Sequence, residues 1–210
     1  EFTMVEWYEA YSDAEKQRAF VEEFFRALVK AVHGKTSFEF DDKKIETEKP
    51  FGVISYYEMI KKYAFLENPE KVSREDLVFS AGRLGIKVEE SDGREKILDL
   101  IYKKTCRSKL IQPTFIIDYP ANTLPLAKKN DNSGEVVDAF QLVVGGMEIV
   151  KAFSEALPEA FTKALPKAFH EGLPKSMPNQ EQEQEQEQEL SPPPPSGGRL
   201  KGFRVQAEDV

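Results

Sequence analysis

The sequence predicts an α+β fold in which an antiparallel β-sheet is flanked by helices. Runs rich in β-forming residues, with side chains alternating between two faces, occupy residues 2–8 and several stretches between 112 and 155. Apolar residues recur at helical spacing from residue 13 to 33, and the stretch from 54 to 110 is mostly helical in pattern. A sheet with helices packed on it gives the α+β class.

The first helix is predicted to follow the first strand directly. Ser12 or Asp13 can cap its start, and Gly34 can end it after about His33. Apolar side chains at i, i+3, i+4, i+7 and i+11 predict a buried stripe formed by Val21, Phe24, Phe25, Leu28 and Val32, which Phe20 widens. Residues 37–40 and 44–47 then predict a short hairpin around an Asp-Asp pair, interpreted as a turn rather than a metal site.

Three further helices are predicted between residues 54 and 110. They are an amphipathic segment at 55–63, a helix from the capping residue Ser73 to Leu84, and a helix over 94–110 with the apolar face Ile97, Leu98, Ile101 and Tyr102. Cations near the end of the last helix favour a solvated face, with contact to a phosphate backbone as the alternative; they are Lys103, Lys104, Arg107 and Lys109. Strands return at 114–118 and 136–144.

Composition restricts the function classes. The 210 residues carry a net charge of −8, which argues against bulk nucleic-acid binding. The single cysteine, Cys106, excludes an internal disulfide framework and is typical of a reducing compartment. No apolar run reaches the ~18 residues of a membrane span, and no signal peptide is visible. The predicted location is therefore the cytoplasm, with no membrane partner.

Two strand faces combine charged and aromatic residues in a way that an ordinary core does not. On a strand near residue 150, Ile149, Lys151, Phe153 and Glu155 share one face. In the first strand, Phe2, Met4, Glu6 and Tyr8 share a face. These faces predict a pocket for a ligand that carries both an ammonium group and a carboxylate. Edge strands with their polar faces in water are the alternative.

The chain changes character at Lys151. Three units of eight residues, each ending in Leu-Pro, run from 151 to 174, and a proline at every eighth position prevents a continuous helix. A Glu/Gln tract and a Pro-rich tract follow, so residues 175–210 are predicted to be disordered. The predicted organisation is a sheet domain at 1–155, an overlapping octad repeat at 151–174 and a low-complexity tail at 175–210.

Four sequence blocks resemble the catalytic core of class II lysyl-tRNA synthetases. Glu-Phe-Thr-Met-Val-Glu-Trp-Tyr-Glu-Ala-Tyr-Ser-Asp (1–13) is similar to the second half of motif 2 of that family. Gln-Pro-Thr-Phe-Ile-Ile-Asp-Tyr-Pro (112–120), Pro-Leu-Ala-Lys-Lys (125–129) and Gly-Gly-Met-Glu-Ile-Val-Lys-Ala-Phe-Ser-Glu (145–155) resemble its later strands, in the family's order. The blocks favour lysine over the related aspartate and asparagine enzymes, and the resemblance implies the same α+β fold.

The resemblance implies a lysine–tRNA ligase, which activates lysine with ATP and transfers it to tRNA(Lys). Catalysis in the family relies on positioning and on charge neutralisation by magnesium and arginines, so no catalytic nucleophile is assigned. Phe2 would stack on the adenine of ATP. Glu148 would bind Mg²⁺, with Gln141 standing where the family has a second metal-binding carboxylate.

The resemblance also assigns the lysine pocket. Glu6, Tyr8 and Glu155 would surround the side-chain ammonium group. Phe153 would contact the alkyl stem, and Lys151, which replaces an asparagine of the family, would lie near the substrate's carboxylate. Glu148 has the opposite strand parity from Lys151 and Glu155, so a β-bulge between 148 and 151 is required if all three serve one site.

Several family elements have no recognisable copy in the sequence. They are motif 1, through which the family forms homodimers, the front half of motif 2, motif 3 and the anticodon-binding barrel. The prediction is an incomplete lysine–tRNA ligase that binds lysine but does not activate it. The alternative is a non-catalytic, truncated or artificial derivative domain that at most binds lysine.

Overall fold

A six-stranded β-sheet carries the fold in the computed structural model, which describes residues 4–155 and 202–208. Eight strands occur in these residues: β1 (Met4–Ala10), β2 (Ser37–Phe40), β3 (Lys43–Glu46), β4 (Gly52–Ser55), β5 (Thr114–Ile117), β6 (Ala139–Val144), β7 (Met147–Ser154) and β8 (Gly202–Glu208). The sheet order is β1-β8-β7-β6-β5-β4, and β2 pairs with β3 in a separate hairpin. The predicted α+β class is confirmed.

The described helices are α1 (Ala14–His33), α2 (Tyr56–Ala64), α3 (Arg74–Arg83) and α4 (Arg94–Ile101). The chain after α4 continues as a π turn at Tyr102–Cys106 and a 3₁₀ turn at Arg107–Lys109, so the single helix predicted for 94–110 has three parts. None of these helices has an apolar stretch long enough to cross a membrane. The hairpin at 37–47 and the cap at Ser73 agree with the predictions, and Ser55 caps α2.

One strand pair departs from the predicted antiparallel sheet. β4, which the sequence analysis placed partly in a helical region, pairs with β5 in parallel, whereas the other neighbouring strands of the sheet are antiparallel. The helices between β4 and β5 act as the crossover that a parallel pair requires. The sheet is therefore mixed at one edge.

Helix α1 begins and ends as predicted, but only part of its predicted apolar stripe packs against the sheet. The Asp13 side chain accepts a hydrogen bond from the Lys16 backbone N–H at 2.9 Å, and Gly34 adopts φ 69° at the C-cap. The buried apolar residues are Val21 and Val29, while several members of the predicted stripe are exposed: Phe20, Phe24, Leu28 and Val32. Val21 and Phe25 of the predicted stripe do pack in the cluster on the sheet, so α1 buries one edge of that stripe and leaves the other edge exposed.

The sheet is the middle layer between α1 and the helices α2, α3 and α4. On the α1 side, a buried cluster joins Val21 to Phe140 and Leu142 of β6. On the opposite side, α2, α3 and α4 pack against Ala139 and Val143 of the same strand. The alternation of β6 side chains therefore supplies both cores, and Gln141 lies on the α4 side because it has the parity of Ala139 and Val143.

The β6–β7 hairpin contains the predicted β-bulge. Leu142 pairs with Val150 whereas Val143 pairs with Glu148, so Ile149 is the extra residue in β7. The bulge brings Glu148 to the same sheet face as Lys151 and Phe153. The prediction that Ile149 shares this face is wrong, since Ile149 packs against the cluster on the α1 side.

Strand β8 differs from the disorder predicted for residues 175–210. It pairs with β1 on one side and β7 on the other. Its sequence, Gly-Phe-Arg-Val-Gln-Ala-Glu, alternates apolar and polar residues, which is the pattern of a half-buried strand. Phe2, the octad repeat beyond residue 155, and the Glu/Gln and Pro-rich tracts lie outside the described residues.

Candidate functional site

A cleft of about 360 Å³ lies between the sheet, the helices α2 and α4 with the π turn that follows α4, and the loop after β5. Three of the predicted site residues line it, namely Gln141, Glu148 and Lys151. The remaining lining comes from the helices and from the loop after β5: Tyr56, Glu95, Lys96, Asp99, Tyr102, Lys103, Tyr119, Thr123 and Leu124. We refer to this cavity as the sheet cleft.

Strand register explains why the three predicted residues converge. Gln141 lies directly opposite Lys151 in the β6–β7 pair, and directly opposed side chains have Cβ atoms about 5 Å apart. The bulge places Glu148 opposite Val143, two residues along the same face from Gln141. The sheet cleft therefore has an amide, a carboxylate and an ammonium group on its floor.

Two tyrosines that the sequence analysis did not assign to the site hold Gln141. Its side chain is only 7% exposed, and its Oε1 accepts hydrogen bonds from the Tyr102 hydroxyl at 2.7 Å and the Tyr119 hydroxyl at 2.5 Å. Burial raises the pKa of Tyr102 and of Tyr119 well above the ordinary value, so both hydroxyls keep their protons at neutral pH. The available signal was a glutamine within the otherwise apolar strand Ala-Phe-Gln-Leu-Val-Val.

The charges that line the sheet cleft are balanced. Three lining carboxylates, those of Glu95, Asp99 and Glu148, face three lining lysines. Lys103 pairs with Asp99 at 2.8 Å, and Lys96 pairs with Asp92 outside the lining at 2.7 Å. Lys151 makes no ion pair within the described residues. A lining with balanced charges, in which Lys151 is outside these ion pairs, suits a ligand that carries both a positive and a negative charge.

Glu6 and Tyr8 lie on the same sheet face as Lys151 but outside the lining of the sheet cleft. Glu6 pairs with Gln206 of β8, and Gln206 pairs with Lys151 of β7, so Glu6 and Lys151 belong to one cross-strand row. Strands are spaced ~4.8 Å apart, which separates the two backbones by roughly 10 Å. The Tyr8 hydroxyl donates a hydrogen bond to Glu6 Oε1 at 2.8 Å.

Phe153 and Glu155 also lie apart from the sheet cleft. Phe153 is 8% exposed and belongs to the buried cluster on the α4 side. Glu155 follows the end of β7, where it forms an isolated bridge with Ala127. Four residues of strand place it roughly 13 Å from Lys151 along β7. The structure thus brings together only part of the predicted pocket.

The described residues contain no group of three metal-ligating His, Cys, Asp or Glu side chains. Glu148 is the carboxylate on the cleft floor, and its Oε2 lies 4.0 Å from the Arg107 guanidinium. Mg²⁺ is commonly held by one or two carboxylates together with substrate phosphates, so Glu148 fits as one ligand of such an ion. The carbonyl oxygen of Gln141 already accepts two hydrogen bonds.

A second cleft of about 350 Å³ lies at the N-terminus of α1 and contains no predicted site residue. Asp118, which follows β5, lines it together with Arg18 and Lys128. Burial raises the pKa of the Asp118 carboxyl above its ordinary value of 3.8, and the residue adopts a left-handed φ of 54°. The charged form of Asp118 is therefore the less favourable form in the folded protein.

Asp118→Asn is expected to stabilise the chain at pH 7 and to have little effect at pH 3. The pKa of Asp118 is raised in the folded state, so its protonated carboxyl contributes to the stability of the fold. That contribution is fully present below the unfolded pKa and is lost as pH rises through the folded pKa. Asparagine removes this loss and tolerates the left-handed conformation. Urea unfolding at both pH values measures the difference. Asp118→Ala is the control, because it removes the same charge but disfavours that backbone conformation; equal behaviour of both variants would contradict the backbone part of the prediction.

Comparison with known proteins agrees with the fold and with the resemblance of the sequence blocks. The family model for tRNA synthetases class II (D, K and N) matches residues 1–198. The chain is 41% identical over 161 residues to a lysine–tRNA ligase of Pectobacterium carotovorum subsp. carotovorum, a match that covers 74% of this chain and 31% of that protein. With the same coverage, it is 41% identical to the lysine–tRNA ligase of Yersinia enterocolitica and 37% identical to that of a Psychrobacter species.

The chain spans about a third of the length of these curated relatives, with 31% of each covered. The family match covers most of the chain, including every strand from β1 to β7. The chain belongs to the class II tRNA synthetases of the D, K and N group.

Proposed function

We propose that the chain binds lysine as part of a lysine–tRNA ligase that uses ATP and tRNA(Lys) and acts in the cytoplasm. The observation that carries this proposal is the cross-strand row that contains Glu6, Lys151 and Gln141 on one sheet face. The row presents a carboxylate and an ammonium group roughly 10 Å apart, measured between their backbones. A ligand with opposite charges at its two ends can pair with both.

Lysine matches this arrangement in charge and in shape. Its carboxylate would enter the sheet cleft beside Lys151, forming a charge-assisted hydrogen bond. Its side-chain ammonium would reach toward Glu6, whose Oε1 is held by the Tyr8 hydroxyl. The roles of Phe153 on the alkyl stem and of Glu155 near the ammonium stay predictions that rest on the family resemblance.

The ATP-dependent step belongs to the same proposal. Glu148 would hold a Mg²⁺ ion that neutralises phosphate charge during activation. The role of Gln141 as a second metal ligand stays a prediction from the family resemblance, and it requires the release of the two tyrosine hydroxyls that its carbonyl oxygen accepts. Stacking of Phe2 on adenine concerns a residue outside the described part of the chain.

Calorimetric titration of the full chain tests the proposal directly. Lysine is expected to bind more tightly than norleucine, which lacks the side-chain ammonium, and more tightly than aspartate. Losing a hydrogen bond to a charged group costs about 1.5–3 kcal/mol, so the preference over norleucine should be on the order of tenfold or more. Equal affinity for lysine and norleucine would contradict the proposal.

A lysine-binding domain without ligase activity is the second candidate from the sequence analysis. ATP–pyrophosphate exchange in the presence of lysine distinguishes it from a ligase. Exchange that depends on lysine would support activation by the chain itself. Lysine binding without exchange would favour the non-activating alternative while leaving the lysine pocket in place.

A further inference from the structure

The amide group of Gln141 has a defined orientation because two buried hydroxyls hold its oxygen. The Tyr102 and Tyr119 hydroxyls both donate to Gln141 Oε1 and lie 3.4 Å from each other. A carbonyl oxygen has two lone pairs, so these two donors satisfy it fully. Both tyrosine rings are buried, and each also packs against the ring of Tyr56, which limits their movement.

The nitrogen end of the same amide faces the sheet cleft. Gln141 Nε2 donates no hydrogen bond that involves a described side chain or backbone group as acceptor. Nor is Gln141 Nε2 among the buried side-chain atoms of the described residues that lack a hydrogen-bond partner. Its N–H groups are therefore accessible from the cleft, which Gln141 lines together with Lys151, its direct partner across the strand pair.

We propose that Tyr102 and Tyr119 are positioning residues that turn Gln141 Nε2 into the sheet cleft, where this amide and the Lys151 ammonium bind a carboxylate. The subsite offers one neutral and one charged donor, which suits the two oxygens of a single anionic group. This inference rests on the proposed function, in which the bound carboxylate is that of lysine. It excludes metal ligation by Gln141 in the same state, because a metal would need the oxygen that the tyrosines hold.

A glutamate at position 141 would reverse the chemistry of this subsite. One of its oxygens would accept the same two tyrosine hydroxyls, and the other, which replaces Nε2 at the cleft, would be an acceptor instead of a donor. Such an acceptor repels a ligand carboxylate and attracts a cation. The identity of residue 141 therefore determines whether this part of the cleft takes an anion.

The experiment compares lysine with lysinamide, which keeps the ammonium groups but lacks the carboxylate charge. Each ligand is titrated into the full chain, into the double variant Tyr102→Phe/Tyr119→Phe and into Gln141→Glu. The wild-type chain is expected to prefer lysine, on the order of tenfold. The double variant should lose most of that preference, since its amide can rotate, and Gln141→Glu should invert it.

Tyr63→Phe is the matched control, because Tyr63 packs against the same core but does not line the cleft. Its ratio of affinities should equal that of the wild type. If the tyrosines had a purely structural role, the double variant would bind both ligands more weakly by the same factor, and the ratio of the two affinities would not change. That result would overturn the inference. A wild-type chain that binds lysine without preference over lysinamide would overturn it, together with the pairing of the ligand carboxylate with Lys151, while leaving lysine binding by the chain intact. Binding of neither ligand would overturn both.

A phosphate oxygen could use the same two donors, so inorganic phosphate is titrated in parallel. If phosphate competes with lysine for the wild-type chain, and this competition is weaker in the Gln141→Glu variant, the subsite binds phosphate. That result would overturn the carboxylate assignment. No competition at concentrations well above the lysine Kd is the expected result.

Discussion

Lys151→Met is expected to weaken lysine binding by at least tenfold while leaving the affinity for lysinamide nearly unchanged. Methionine keeps the unbranched stem and removes the ammonium that the ligand carboxylate would contact. Lys151 lies on the floor of the sheet cleft and makes no ion pair within residues 4–155, so its charge is available for a ligand. A charge-assisted hydrogen bond contributes about 1.5–3 kcal/mol, which sets the expected factor. Calorimetry of the full chain measures it.

Lys104→Met is the matched control for this prediction. Lys104 is an exposed lysine of the π turn that does not line the sheet cleft. Its replacement by methionine changes the net charge by the same amount as Lys151→Met. Its lysine affinity should equal that of the wild type. If Lys151→Met and Lys104→Met weakened the binding of lysine equally, the effect would come from net charge alone. Lys151 would then not contact the ligand carboxylate.

Local signals in the sequence predicted most of the fold because each signal has a short-range cause. Asp13 starts α1 with a side-chain cap, and Gly34 ends it with a left-handed backbone conformation. Neither effect depends on the rest of the molecule. The face that α1 buries agrees with the prediction only at Val21 and Phe25, because the buried edge of the stripe depends on the sheet. Phe20 and Phe24 instead contact the ring of Trp7 on β1, with centroids 5.5 and 6.1 Å away.

Long-range pairing limited the prediction of the site. Strand parity alone puts Glu148 and Lys151 on opposite faces, and the assignment of both to one site requires a β-bulge, which the β6–β7 pair contains. No sequence pattern indicated that β8 lies between β1 and β7, which moves Glu6 one strand farther from Lys151. The sequence pattern indicates only an apolar helix face for Tyr102 and a strand motif for Tyr119, because these residues lie 39 and 22 positions from Gln141, where they meet.

The β6–β7 turn links the stability of the hairpin to the geometry of the cleft. Gly145 and Gly146 adopt φ values of 61° and 86°, as a tight hairpin turn requires at both central positions. The Gly145 and Gly146 N–H groups donate to the carbonyls of Ile111 and Leu110, at 2.9 Å each. The turn is therefore attached to the segment after Arg107, the residue that approaches Glu148.

Gly146→Ala is expected to destabilise the chain by ~2 kcal/mol or more. A left-handed backbone costs a residue with a Cβ about 1–2 kcal/mol, and overpacking adds about 1–3 kcal/mol. The added Cβ would lie 3.2 Å from Ser108 Cα, a backbone atom that cannot move without shifting the 3₁₀ turn. Thermal unfolding should show a Tm lower by roughly 4–8 °C for a loss of that size in a chain of this length.

Gly82→Ala is the matched control for Gly146→Ala, since it adds the same methyl group elsewhere in the chain. Gly82 lies within α3, has no left-handed φ, and has nothing within 4 Å of the position its Cβ would take. Alanine there should raise stability by about 0.5–1 kcal/mol, because glycine is the less favourable residue in a helix. A Tm for Gly146→Ala that equals or exceeds the wild-type value would mean that Gly146 is not packed against the 3₁₀ turn at Arg107–Lys109. Because that turn carries Arg107, which approaches Glu148 on the cleft floor, Gly146→Ala should also weaken lysine binding, whereas Gly82→Ala should not.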